Sequence, residues 1–262
     1  MINLIRIARG KTLLSQAMYV ALNILLAVAT LILVLVTNSP VLACILVLLG
    51  KWRVLAVRVR YWWLNIRANL VDMIVGLSFA SLIFLMGGYL AAQIVATVLY
   101  AAWLIFIKPS SKPALVSIQA GVALLLGITV ATSFFYGLPP VVLVAACFLI
   151  GYAVTRHVLV ANLDDGSSPE FVSLVSGLVL SELAWAAYHW LVAYGIPDTG
   201  LKLPQFALIA MLMGFVALTV YRGYDRDSGK AKVQDIIMPI IFAVAVILVM
   251  LLAFSGASIS LS

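Results

Sequence analysis

The chain has 262 residues, of which 65% are hydrophobic and only 10% are charged, whereas soluble domains carry roughly a quarter charged residues. A water-soluble fold of this size cannot bury so much apolar surface, and apolar runs of the length needed to cross about 30 Å of hydrocarbon recur along the chain. The composition therefore excludes a soluble protein. It predicts an all-α, polytopic integral membrane protein, with residues 1–262 forming a single transmembrane helical domain.

The net charge of +7 is carried by residues scattered through short loops. Without an extramembrane domain to present a basic surface, we expect no nucleic-acid partner. Loop lysines and arginines of this kind set membrane orientation and attract anionic lipid headgroups. Membrane lipids, with anionic headgroups on the cytoplasmic side, are therefore the expected partners.

Nine apolar segments are bounded by proline, glycine and charge. The first is longer than the apolar part of a signal peptide, which runs to about 15 residues, and is therefore predicted to be an uncleaved span. Proline opens five of the segments, as expected for the first helical turn, where its missing N–H has no partner to lose. The predicted spans lie near residues 18–36, 40–57, 64–86, 88–107, 113–135, 139–160, 169–194, 204–222 and 236–255.

The basic residues also predict an orientation. With nine spans and the N-terminus inside, all sixteen lysines and arginines except Lys202 fall on the cytoplasmic side. Omitting the second span, the weakest by hydropathy, would place the basic segment that follows it outside. The sequence therefore predicts a multi-pass protein of the plasma (inner) membrane, with its N-terminus inside and its C-terminus outside.

Residues 51–67 form a basic and aromatic segment, which we call the elbow. Its basic residues do not share one face of a 100°-per-residue helix, so a single amphipathic surface helix is not predicted. Lysine and arginine side chains can snorkel toward headgroups, and tryptophan favours the interface. The residues expected to contact lipid headgroups are Lys51, Arg53, Arg58, Arg60, Trp52, Trp62 and Trp63.

The seventh segment carries a carboxyl group near mid-membrane, at Glu182. Trp185 and His189 follow at spacings three and seven and so share its helical face. A mid-membrane carboxylate costs roughly 2.5 to 3.5 kcal/mol on insertion scales, so such a group commonly faces water, a partner or the bundle interior. A small-residue stripe that would let another helix approach closely precedes it, at Ser173, Gly177 and Ser181.

Two interpretations of Glu182 stay open. As a proton or cation carrier, it would use His189 as a relay and Trp185 as a pocket wall. As a packing group, it would donate a hydrogen bond to a carbonyl or to a glutamine on another span, such as Gln93 or Gln119.

Asp72 is a second candidate for the proton or substrate pathway. It is expected a few residues inside the cytoplasmic end of the third span. Arg67, Asn65 and Asn69 lie one or two turns earlier, and a local salt bridge would account for its presence.

No HExxH or GxSxG motif occurs, and neither a metal site nor a cofactor is expected. The sequence favours a secondary transporter or permease-like carrier of a small solute, with proton coupling through Glu182 as one form of it. The alternative is a membrane scaffold or accessory subunit that binds a partner protein, a second copy of itself or anionic lipid. An enzyme is less favoured, because the sequence places no acid, base and nucleophile on one face.

Overall fold

The computed structural model describes residues 2–54, 56–162, 169–225, 230–231 and 233–253. The chain divides into two compact units. One comprises Met1–Ser111 with Asp198–Gly200, and the other Lys112–Pro197 with Leu201–Ser262. The two units are described separately below.

The described part of the first unit is built from four helices. Short 3-10 turns at Trp52–Val54 and Val59–Tyr61 lie within the elbow, and the fourth helix continues as a π-helical turn, Trp103–Ile107. The helices are α1 (Ile2–Thr37), α2 (Val41–Leu49), α3 (Trp62–Leu85) and α4 (Leu90–Ala102).

In its described residues, the second unit contains five helices and two small antiparallel strand pairs. The strand pairs join β1 (Ala193–Gly195) with β2 (Lys202–Pro204), and β3 (Tyr224–Asp225) with β4 (Lys230–Ala231). The helices are α5 (Pro113–Phe135), α6 (Pro140–Asn162), α7 (Pro169–His189), α8 (Gln205–Gly223) and α9 (Val233–Ala253).

Seven helices in the described residues are long and apolar enough to cross a membrane. The predicted helical membrane architecture is thus confirmed at this level, whereas nine segments were predicted. The apolar part of α9 spans only 236–252, and α2 has 9 residues, or about 13.5 Å at 1.5 Å per residue. No single helix therefore covers the predicted span 40–57.

The helices of the first unit pack through a close approach at Gly76. A Cβ added there would lie 2.7 Å from Val47 Cγ1, so only glycine lets α2 pack this tightly against α3. Elsewhere in the same helix pair, Cys44 Sγ lies 3.8 Å from Ser81 Oγ. Position 44 thus faces 81 and position 47 faces 76, which makes α2 antiparallel to α3.

Two helix pairs of the second unit, α6 with α7 and α8 with α9, also run antiparallel. In the first of these pairs, a Cβ on Gly177 would lie 2.9 Å from the Phe148 carbonyl oxygen. The last two helices are joined by a hydrogen bond of 2.8 Å from Gln205 Nε2 to the Met250 carbonyl oxygen. Small residues and side-chain-to-backbone hydrogen bonds, rather than hydrophobicity alone, hold such bundles together.

Candidate functional site

An ion cluster in the first unit is centred on Asp72, near the middle of α3. Asp72 comes ten residues after the helix begins at Trp62, which places it about 15 Å along the helix axis. Its carboxylate oxygen Oδ2 contacts the Lys51 ammonium and lies 3.4 Å from Lys108 Nζ. One carboxylate oxygen is therefore shared by two ammonium groups, each from a different segment.

The Lys51–Asp72–Lys108 cluster is largely removed from solvent. Lys51 is 8% exposed, Asp72 18% and Lys108 29%. Charges in such surroundings require partners, because desolvation costs several kcal/mol per ion. With all three groups ionised the cluster carries a charge of +1, and Asp72 Oδ1 is buried without a hydrogen-bond partner among the described residues.

Two irregular helix ends bring the lysines to Asp72. Helix α2 ends at Leu49, with Gly50 as its C-cap, and Lys51 follows directly. This position suits an ammonium group, because the C-terminal end of a helix carries partial negative charge. On the other side, the π-helical turn after α4 closes with a 2.9 Å hydrogen bond from the Lys108 N–H to the Trp103 carbonyl oxygen. Turns of this type are frequent at functional sites.

The elbow divides into a buried and an exposed part. Lys51, expected at the lipid headgroups, is instead buried against Asp72, because the end of α2 directs it toward α3. The side chain of Arg53 lies outside the described residues. The other residues predicted to contact headgroups are exposed, namely Trp52, Arg58, Arg60, Trp62 and Trp63.

Aromatic contacts order the exposed part of the elbow. The Trp62 indole donates a 3.0 Å hydrogen bond to the Val57 carbonyl oxygen, and the Arg60 guanidinium lies 4.6 Å from the Tyr61 ring centroid. Arg67, expected beside Asp72, has its guanidinium 5.4 Å from the Trp63 ring centroid. The two lysines that pair with Asp72 are both distant from it in sequence.

Glu182 lies on the outer side of α7 and is exposed. Trp185 and His189 are exposed on the same face, and their ring centroids are 4.8 Å apart. The small-residue stripe lies on the other side of the helix, where Ser173 and Gly177 are buried. The stripe packs against α6, so it does not draw a partner to Glu182.

The two glutamines considered as partners of Glu182 are engaged elsewhere. Gln93 is buried and donates a 2.8 Å hydrogen bond from Nε2 to the Ile83 carbonyl oxygen. Gln119 Oε1 lies 2.7 Å from His157 Nε2. Within the described part of the chain, no hydrogen bond joins either glutamine to Glu182.

The second unit has an ion pair that the sequence pattern did not predict. Glu170, in the first turn of α7, accepts a 2.9 Å hydrogen bond from the Tyr152 hydroxyl and lies 3.3 Å from Arg156 Nε. The signal in the sequence was a single acidic residue just after the helix start, opposite an arginine near the end of the preceding helix. This pair ties α6 to α7 at one end.

The fold and the cluster define the class of protein. The chain is a multi-pass helical membrane protein in which one apolar helix carries a half-buried, ion-paired aspartate. Comparison with protein-family models, curated proteins and solved structures gave no match.

Proposed function

We propose that the protein is a secondary carrier of a small solute, coupled to proton exchange at the Lys51–Asp72–Lys108 cluster. The observation that carries this proposal is the sharing of Asp72 Oδ2, on an apolar helix, by two ammonium groups that each follow the end of another helical segment. Ionisable groups inside membrane helices commonly mark ion or proton pathways. Asp72 thereby takes the coupling role that the sequence favoured for Glu182.

The chemistry of the cluster suits proton exchange. Loss of one proton from either lysine converts a charge of +1 into a neutral set of one ammonium, one carboxylate and one amine. Protonation of Asp72 would instead leave two adjacent ammonium groups without a counter-ion. Each proton gained or lost therefore changes which segments are held together, and this couples protonation to the positions of α2 and α4 against α3.

The backbone around the cluster supports the same proposal. Many secondary transporters place coupling sites where a membrane helix is interrupted, because the freed helix ends offer charged or polar groups to the ion. Here the nine-residue helix α2 ends at Leu49, two residues before Lys51, and a π-helical turn ends at Ile107, just before Lys108. Both interruptions meet at one aspartate.

The proposed topology keeps nine crossings. In the first unit α2 is antiparallel to α3, and the irregular residues after Leu49 lead back to the start of α3 at Trp62. Segment 40–57 would then cross as the short helix α2 followed by irregular residues, of which Lys51 is buried against α3. The N-terminus would be inside, the C-terminus outside, and the membrane the plasma (inner) membrane, in keeping with the positive-inside rule.

Transport measurements test the coupling. Purified full-length protein would be placed in vesicles containing a pH-sensitive dye, and a panel of small anions, cations, amino acids and sugars added outside. We expect at least one solute to change the internal pH with wild type, and Asp72→Asn to reduce this change at least tenfold. Asp198→Asn is the matched control, because it alters an exposed loop aspartate whose positive φ of 57° asparagine also adopts.

Two results would overturn the proposal. If no solute changes the internal pH with wild type, the protein is not a proton-coupled carrier of these classes. If Asp72→Asn responds like wild type, the cluster is structural and the coupling lies elsewhere.

A membrane scaffold or accessory subunit is the second candidate, and the exposed face of Glu182, Trp185 and His189 favours it. A carboxyl group at mid-helix among apolar neighbours is costly against lipid, so a partner helix offering a donor would stabilise it. Chemical crosslinking of vesicle-embedded protein should then give oligomers or a partner adduct that Glu182→Leu removes. Unchanged crosslinking in Glu182→Leu would exclude this face as the contact.

A further inference from the structure

A large groove lies within the second unit, between α5, α6, α7 and α8, with Phe242 of α9 at its edge. Its volume is about 750 Å³, within the range of roughly 300 to 1,000 Å³ typical of ligand sites. The walls are mainly aliphatic and aromatic, with Leu124, Leu180 and Phe215 among them. Glu182 does not line this groove, and neither does any residue of the ion cluster.

One end of the groove is polar. Ser117 and Tyr221 line it there, near the start of α5 and the end of α8. Arg222 Nη2 donates a 2.6 Å hydrogen bond to Ser117 Oγ and one of 3.0 Å to the Pro113 carbonyl oxygen. These bonds hold the exposed guanidinium against Ser117, which lines the groove, and the same side chain carries further N–H donors on Nε and Nη1.

The groove therefore has the chemistry of an amphiphile with a negative head: an apolar channel that ends at a fixed guanidinium. Arginine forms planar, charge-assisted hydrogen bonds with phosphate, which lysine matches less well. The walls belong to helices of membrane-crossing length, so acyl chains are the apolar material that surrounds them.

We infer that this groove binds an anionic phospholipid, with one acyl chain between α5, α6, α7 and α8 and the headgroup phosphate on Arg222. The site is distinct from the elbow, where headgroups alone are expected to bind. The inference does not depend on the carrier proposal, because it uses neither Asp72 nor Glu182.

A single substitution can be used to block the groove. Gly121 lines the groove, and a Cβ added there would have no atom within 4 Å. Gly121→Leu should therefore fill the channel without a clash at its Cβ. Gly137, which has equally open surroundings but does not line the groove, provides the matched control Gly137→Leu.

Photo-crosslinking tests the inference directly. Full-length protein would be reconstituted in phosphatidylcholine vesicles containing a trace of phosphatidylglycerol that carries a diazirine on one acyl chain. A parallel sample would contain phosphatidylcholine with the same label. After illumination, the labelled residues would be mapped by mass spectrometry.

With wild type we expect the label on groove residues, about fivefold more from phosphatidylglycerol than from phosphatidylcholine, since one basic contact contributes about 1 kcal/mol. Arg222→Gln should bring this ratio close to one, whereas Arg58→Gln, in the exposed elbow, should leave it unchanged. Gly121→Leu should reduce groove labelling by both lipids severalfold, and Gly137→Leu should not.

Three results would overturn the inference. Equal labelling by both lipids in wild type would mean that the groove holds only bulk lipid. A ratio unchanged in Arg222→Gln would remove the headgroup contact. Groove residues crosslinked to a second protein copy, and not to lipid, would make the groove an interface between copies.

Discussion

Asp72 and Glu182 are both carboxyl groups within apolar helices, yet their surroundings differ. Asp72 is mostly buried and shares one oxygen between Lys51 and Lys108. Glu182 is exposed, among the aromatic side chains of its own helix. The cost of a charge in the membrane is thus met inside the chain at the first position. At the second position only something outside the described chain, such as a partner, water or a bound proton, can meet it.

Because of this difference, mutations at Asp72 and at Glu182 should affect the stability of the protein differently. Removing the carboxylate from a buried ion pair leaves uncompensated charge, which destabilises strongly. Removing it from an exposed position breaks no contact among the described residues. The stability of purified protein should therefore respond to one position and hardly to the other.

The largest effect is expected at Asp72. Asp72→Asn leaves two ammonium groups close together without a counter-ion and should lower the free energy of unfolding by about 3–5 kcal/mol. Denaturant or thermal unfolding in detergent micelles would measure it. The double variant Asp72→Leu with Lys51→Met removes one of each charge and should recover much of the loss. A loss in the double variant as large as in Asp72→Asn would mean that packing, not charge, explains the effect.

A smaller effect should separate the two faces of α7. Gly177→Val on the buried face places a Cβ about 2.9 Å from the Phe148 carbonyl oxygen and should cost about 1–3 kcal/mol of stability. Gly121→Val, in open space on α5, is the control and should cost less. Equal unfolding midpoints for the two variants would contradict the close packing of α6 and α7.

The elbow allows a comparison within one basic segment. Replacing Arg58 and Arg60 by glutamine should weaken association with anionic vesicles by on the order of 1 kcal/mol per residue and leave folding stability unchanged. Lys51→Gln should do the reverse, because Lys51 is paired with Asp72. Vesicle co-sedimentation and thermal unfolding of the same samples would show whether lipid association depends on Arg58 and Arg60 and folding stability on Lys51.

The smallest effect is expected at Glu182. Glu182→Gln should change the stability of the purified protein by no more than about 0.5 kcal/mol, because no described side chain loses a partner. Glu182→Leu should be neutral or stabilising, since it removes a polar group from an exposed apolar face. A loss of several kcal/mol in either variant would reveal a buried partner and end the contrast with Asp72.

Much of the architecture could be read from hydropathy. Long apolar runs with proline at their starts correspond to α5 and α7, because helix formation in a membrane depends on local composition and on backbone hydrogen bonds within the segment. The structure of segment 40–57 does not follow from hydropathy. Its apolar residues stop at Gly50, and whether the rest forms helix depends on what packs around it.

The candidate site could be predicted only in part. Asp72 and Glu182 could be identified as candidates because they are acids within apolar runs. Helical spacing predicted that Trp185 and His189 share a face with Glu182. Neither hydropathy nor spacing indicated which acid is paired.

The amino-acid sequence by itself determined the class of protein, the approximate position of most helices and the face shared by Glu182, Trp185 and His189, because these follow from composition and from a period of 3.6 residues. Tertiary structure alone decided that Lys51 turns inward to Asp72, that Lys108 joins it, and that Glu182 faces outward. Residues 51, 72 and 108 lie on separate segments, and only the packing of α2 and α4 against α3 brings their side chains within ion-pairing distance.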